Sequence, residues 1–584
     1  QLDGERAADA LRTLAPLLAA AEPSAPVLRL AGQAHLLAGD VAAANADFER
    51  LSKLEPEQLG HRAALELSRF AAGRSDPAAT LAARQSLQAL AERDPSGLAD
   101  LALYGAELQR RDWRAAGAAL DRLEARAPGR AYVEHLRGHL WLLEQRPQEA
   151  QRAFAAALAR DPRFVPATLM LAQLATADGR FDAAIAELDR ALALAPAQPA
   201  LLMARAGLAV RVGAGVDEVA KRLDEAAHAQ PTSAAPRLAL VDFLLARNEP
   251  ARALAAAHAA AGALPADPAV LDALGRAQRA SGELAQATTS YTRLATLAPA
   301  SPLGPLRLAE LAAADGRNAE AEAQLRRALE RSPQSLPAQQ LLARVLLAAQ
   351  RPAEAIAVAR DVQRQRAKEA AGWLLEGEVE EARARWGRAV EVYRAGLERT
   401  QASALAVRLH HALLQQSPAE AERFATGRLR DHPGDAEFRL YLAQRSLAAG
   451  HHDEAERHYA VLRSQVPENA TVLNNLAWLH LRLGRADAVE LARRADALAP
   501  NTPAILDTLA AALAAERRYD EAVRAQQRAV ELSGDAELRL ALARLYATSG
   551  APARARVELE ALAALGERFP RQSEVAALQR ELGR

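Results

Sequence analysis

The chain of 584 residues balances 73 Lys+Arg against 73 Asp+Glu, contains no cysteine, and is 50% hydrophobic but only 4% aromatic. Zero formal charge gives no global attraction to nucleic acid or an anionic membrane, and the missing cysteines exclude disulfides, thiolate metal sites and a cysteine nucleophile. No apolar run of eighteen residues is free of charge, so no transmembrane segment is expected.

In chain order, residues 1–22 read as a solitary helix. The chain opens at Gln1 rather than Met, so an upstream segment bearing any signal peptide or lipid-anchor cysteine is expected to have been removed. Prolines that follow helical runs then recur at Pro23, Pro56, Pro95, Pro128, Pro162, Pro196, Pro231, Pro265, Pro299 and Pro333. The phase passes Ala367 and Gln401 without proline and returns at Pro433, Pro467 and Pro500. About sixteen intervals of about 34 residues fill 24–567, and 568–584 reads as a terminal capping helix around Ser573–Leu582, with Glu574, Gln579, Arg580 and Glu581 outward. Two departures stand out. GRSDP at Gly73–Pro77 lengthens one inter-helix loop, and the helix-forming QRQRAKE at Gln363–Glu369 predicts helices running nearly continuously through Ala367.

Each interval has the same grammar. In residues 269–299 a first helix carries Leu271, Leu274 and Gly275 on one face and stops at Gly282. A second carries Ala287, Tyr291 and Leu294 and stops before Pro299. The small residue early in the second helix recurs as Ala44, Ala150, Ala184, Ala253, Ala321, Ala389, Ala455 and Ala522, and a larger one follows a turn later, as at Phe48, Phe154, Leu188, Leu325 and Tyr459. Alanine lets antiparallel helices approach closely while the larger side chain fills the space between repeats. The pattern closely resembles the tetratricopeptide repeat. That resemblance implies an all-α, right-handed superhelical solenoid of about sixteen helix pairs, one continuous domain over 1–584, since no single repeat buries its own apolar faces.

Catalytic motifs are absent. The chain has no nucleophile elbow, P-loop or dinucleotide fingerprint, and Gly213-Ala-Gly215 lacks the preceding strand that a phosphate loop needs. His135 and His139 share a helix face and could ligate zinc, but no third ligand lies nearby, and a polar groove surface is the favoured reading. His410-His411 divides between groove and packing face, His451-His452-Asp453 falls in a solvated turn, and Glu380-Glu381 reads as a solvated face. No enzymatic activity, cofactor or metal is expected.

In this repeat class the first helices line a concave groove, which places Arg276, Glu310, Arg344, Glu378, Arg408, Gln444, Asn474, Trp478 and Asp507 as partner-binding candidates. Their signs are mixed, and no lysine falls on the face, so the lysine and asparagine set with which some cochaperones of the class clamp a C-terminal carboxylate is missing. Trp478 is either an anchor for a partner or packed against the adjacent repeat.

The segments AGWLLEGEVEEARARWGRAVEVYRAGL (371–397), ALAVRLHHAL (404–413), LNNLAWLHLRL (473–483) and LAPNTPAILDTL (498–509) resemble, in order and spacing, the exosortase (PEP-CTERM)-associated tetratricopeptide lipoproteins, the PrsT-like family. That resemblance implies a periplasmic or outer-membrane-associated scaffold of a Gram-negative bacterium. Its partners would be proteins or peptides and envelope exopolysaccharide machinery, with a possible lipid anchor upstream of this chain. Two other readings are a periplasmic component of a polysaccharide secretion complex and the substrate-presenting arm of an enzyme such as a glycosyltransferase.

Overall fold

The computed structural model describes residues 2–20, 22–73 and 76–583, and among them it contains 34 α-helices and no strand. The chain is an all-helical solenoid that begins with α1 (Leu2–Leu18) and ends with α34 (Gln572–Leu582). Two compact units divide it, Gln1–Pro236 and Arg237–Arg584. In each, successive helices pack on their neighbours through a chain of apolar clusters; Phe70, Leu87, Tyr104 and Leu120 form one in the first unit, and Leu325, Leu342, Leu346 and Leu375 one in the second.

One pair shows how the sequence builds the unit. Asp267 caps α16 (Pro268–Ala280), its carboxylate accepting from the amides of Ala269 and Val270, while Pro268 supplies a pre-set φ at the first turn. At the far end Gly282 takes φ +80, a left-handed conformation that reverses the chain. Then α17 (Leu284–Leu297) runs back until Pro299 removes the donor that another turn would need. Tyr291 and Leu294, each 1% exposed, meet Leu271 of α16 and Leu311 of α18 (Leu303–Ala314). Burying side chains of this size stabilises the stack by about 1.5–3 kcal/mol each.

This grammar holds along the chain. All eight second-helix alanines singled out above are fully buried, and Phe48, Phe154, Leu188, Leu325 and Tyr459 are at most 2% exposed. Where the inter-helix turn lacks glycine, Arg111, Gln145, Asn248, Gln350, Ala384 and Arg517 take positive φ in its place. Backbone geometry at this turn therefore outranks residue preference, at a cost of about 1–2 kcal/mol per non-glycine residue.

The expectation of near-continuous helix through Ala367 is wrong. The helix α21 (Pro352–Gln365) ends before it, and α22 (Ala371–Ala382) starts after a turn. The reversal brings Gly372 against the backbone of Gln363 and lets Leu375 and Val379 join Ala359 and Val362 in one core cluster. Burial of that face outweighs the local helix propensity of QRQRAKE. The long-loop expectation at Gly73–Pro77 falls partly on residues 74 and 75, outside the described residues; on its near side Asp76 caps the next helix through Ala78 and Ala79. At the C-terminus α34 buries Val575 near Phe569, with Arg580 and Glu581 exposed as expected, whereas Glu574 and Gln579 are half-buried.

Candidate functional site

The nine candidates lie on the first helices of the second unit, on α16, α18, α20 (Leu336–Ala348), α22, α24 (Ser403–Gln416), α26 (Ala436–Ala448), α28 (Ala470–Leu483) and α30 (Pro503–Ala515). Each sits one or two turns into its helix, so the repeat places them at matching positions, and ion pairs link α16 to α18 and α22 to α24 across that register.

At α16 and α18 the face neutralises itself. Asp272, 8% exposed, accepts from Arg276 Nε at 3.0 Å and from Arg307 Nε at 2.7 Å, and Arg276 also reaches Asp242 at 2.7 Å. Arg307 and Arg279 both pair with Glu310, at 3.1 and 3.4 Å. Desolvation works against the Arg307 cation, but Asp272 and Glu310 override it and raise its pKa. Arg276 and Glu310 are thus held by their own chain.

Further along, the face opens. Arg344 and Gln444 are exposed and hold no hydrogen bond or ion pair among the described residues. Glu378 is 51% exposed and lies 3.9 Å from Arg408, whose guanidinium donates instead to Glu381 at 2.5 Å. Desolvation within the groove pushes the Glu378 carboxyl above its ordinary value despite Arg408. Asn474 donates weakly to Asn475, at 3.4 Å, which in turn donates to the Tyr459 hydroxyl at 2.9 Å; the Asn474 carbonyl oxygen is buried without a partner. Trp478 is half-buried, its ring flanked by His452 at 5.6 Å and the Arg482 guanidinium at 5.1 Å. Trp478 thus packs on one side, as one of its two readings expects, and its remaining surface faces outward. Asp507 accepts from Gln526 Nε2 at 2.8 Å.

Glu380-Glu381 is not a solvated pair. Glu380 pairs with Arg383 at 3.1 Å, and the side chains of Glu380 and Glu381 are only 8% and 10% exposed. Arg307 and Gln526 were invisible as partners in the sequence, since their targets lie 35 and 19 residues away.

The histidines divide by burial. His135 and His139 point their Nε2 atoms at each other, 3.1 Å apart, against Phe154. Burial, helped by the charge of His139, pushes His135 down to about 4, and burial also lowers His139, so both rings are neutral near pH 7. No group of three or more His, Cys, Asp or Glu among the described residues could hold a metal. His410 is fully buried beside the Tyr441 hydroxyl at 3.0 Å, while His411 packs near Trp386. His452 is not loose in a turn, since it opens the helix His452–Gln465 and meets Trp478. No helix among the described residues is long and apolar enough to cross a membrane.

Tetratricopeptide-repeat models match residues 142–208, 272–335, 312–379 and 442–503. No curated protein matches the chain in sequence. Among similar solved structures, the APC/C hetero-tetramer Cut9-Hcn1 aligns at 17% identity over 98% of this chain and 98% of its own, with a TM-score of 0.30. Yeast Tom70 aligns at 14% identity over 72% of this chain and 95% of its own, with a TM-score of 0.32.

Proposed function

Because the chain carries tetratricopeptide repeats over these four segments, we propose that it is a non-enzymatic scaffold that binds protein or peptide partners on the first-helix face of its second unit. One observation carries the reading. The face changes from self-paired at α16–α18 to exposed and without a hydrogen bond or ion pair among the described residues at Arg344 and Gln444, with Glu378 only loosely held by Arg408 at 3.9 Å and Trp478 half-buried. Side chains already locked in ion pairs must break them to engage a partner, whereas an exposed arginine or a half-buried tryptophan engages without that cost. Affinity is therefore concentrated on α20 to α30, not on Arg276 and Glu310.

We further propose, on the PrsT-like resemblance of the four segments between 371 and 509, that this scaffold works at a bacterial envelope beside exopolysaccharide synthesis and exosortase-dependent sorting. The test is affinity capture from envelope extracts with the full chain and with the Arg344→Ala/Trp478→Ala variant. The double variant is expected to lose about tenfold or more of its recovered partner, the effect of removing two anchor side chains. Unchanged recovery would remove these residues as anchors. A partner set without envelope polysaccharide or sorting proteins would overturn the envelope reading alone.

A further inference from the structure

Between α30 and α32 (Ala536–Thr548) the first-helix face opens into a slot of about 270 Å³. Alanine methyls line part of it, from Ala510, Ala511 and Ala514 on one helix and Ala541 on the other, with Leu545, Tyr519 and Thr548 beside them. One carboxylate stands in it. Asp507 is half-buried and has no arginine or lysine within ion-pair distance among the described residues.

That isolation is unusual for this face. Asp272, Glu310 and Glu381 are each drawn into it and each is held by arginine. Asp507 has only Gln526, an amide 2% exposed that spends one Nε2 hydrogen on Asp507 Oδ1 at 2.8 Å and the other on the Leu538 carbonyl at 3.0 Å. Gln526 therefore fixes the carboxylate's orientation without neutralising it. The cation in the same slot, Arg544, is already bound to Glu574, so it is not the missing counter-ion. Burial raises the Asp507 carboxyl above its ordinary value, more than Gln526 lowers it, and nearby Asp535 adds to the rise. A half-desolvated carboxylate without a cation costs stability that a cationic ligand would offset.

We propose that this slot receives an arginine or lysine side chain of a bound protein segment, its charged end on Asp507 and its methylene stem along the alanines. The polarity complements Asp507, and the apolar lining suits a stem that is itself hydrocarbon. This rests on the scaffold reading and gives one of its subsites a chemistry.

The test uses the full chain and fluorescein-labelled, end-capped nonapeptides whose central residue is arginine, lysine, citrulline or glutamate in an otherwise identical alanine–serine background. The arginine and lysine peptides are expected to bind about tenfold or more tighter than citrulline, which keeps the shape of arginine without its charge. Asp507→Asn keeps an acceptor for Gln526 and removes only the charge, so it should abolish that preference without lowering the thermal unfolding temperature. Equal affinity for arginine and citrulline, unchanged arginine binding by Asp507→Asn, or no saturable binding of any peptide would each overturn the subsite. The scaffold reading fails separately, by unchanged partner capture with the Arg344→Ala/Trp478→Ala variant.

Discussion

Arg428→Ala is expected to destabilise the second unit by about 3–5 kcal/mol, the cost of stranding one member of a buried ion pair. Arg428, 7% exposed on the helix Pro418–Asp431, donates from Nε to Asp435 Oδ2 at 2.9 Å, and its other nitrogens reach the side chain and carbonyl oxygens of Gln401, each at 3.2 Å. Asp435, 9% exposed, caps α26 by accepting from the Phe438 amide at 3.1 Å. Without the guanidinium, that carboxylate stays buried and unpaired. Burial pushes the Asp435 carboxyl up, but Ser403, the Phe438 amide and Arg428 together hold it below its ordinary value. A carboxylate depressed in the folded state contributes stability above its unfolded pKa of about 3.9, and that contribution is lost as pH falls through the lower folded value. The gap between wild type and variant should thus be full at pH 7 and shrink below about pH 4. Urea unfolding at both pH values, with hydrogen exchange on α24 and α26, checks it. A gap under about 1 kcal/mol at pH 7 would show that the pair is not what holds these helices. Replacing both partners, as Arg428→Met with Asp435→Asn, should cost less than Arg428→Ala alone.

Gly377→Ala should destabilise by roughly 1–3 kcal/mol, although glycine to alanine within a helix ordinarily gains up to about 1 kcal/mol. The sign inverts because a Cβ at Gly377 would lie 2.1 Å from Cε1 and 2.3 Å from Cζ of Tyr393. Tyr393, on the helix Trp386–Thr400, is fully buried, so the ring has no space to move into. Either it tilts off its rotamer or α22 lifts away from its partner. Gly275 against Tyr291, at 2.2 Å, and Gly138 against Phe154, at 2.4 Å, repeat the arrangement, so glycine facing an aromatic ring is the close-packing device of this solenoid. A thermal melt should place Gly377→Ala below wild type, and Gly377→Ala/Tyr393→Leu should recover part of the loss. A melt at or above the wild-type value would show that the ring yields freely.

Local signals in the sequence were enough for the helix pairs. The proline phase, Gly282 and the second-helix alanines follow from short-range sterics, and the backbone obeys them. Near Ala367 the same reasoning failed, because the tertiary fit of Gly372 to Gln363 overrode propensity. The candidate face was legible as a register and not as an energy surface. Arg276 and Arg344 look alike by spacing, yet Arg276 is bound to Asp272 and Asp242 while Arg344 is free of ion pairs among the described residues. That difference depends in part on a residue a whole repeat away, Asp242, and on whether two long side chains find rotamers that meet. Glu381 was misread for the same reason, since Arg408 reaches it from the next first helix.

The most direct test of partner binding on the first-helix face is site-specific photo-crosslinking in envelope extract. Benzoyl-phenylalanine would replace Arg344 or Gln444 on that face, and Arg423, exposed on the second helix Pro418–Asp431, as the comparison. Adducts to one partner from positions 344 and 444, and none from 423, are the predicted result. Equal yield from position 423, or no adduct from 344 and 444, would contradict it.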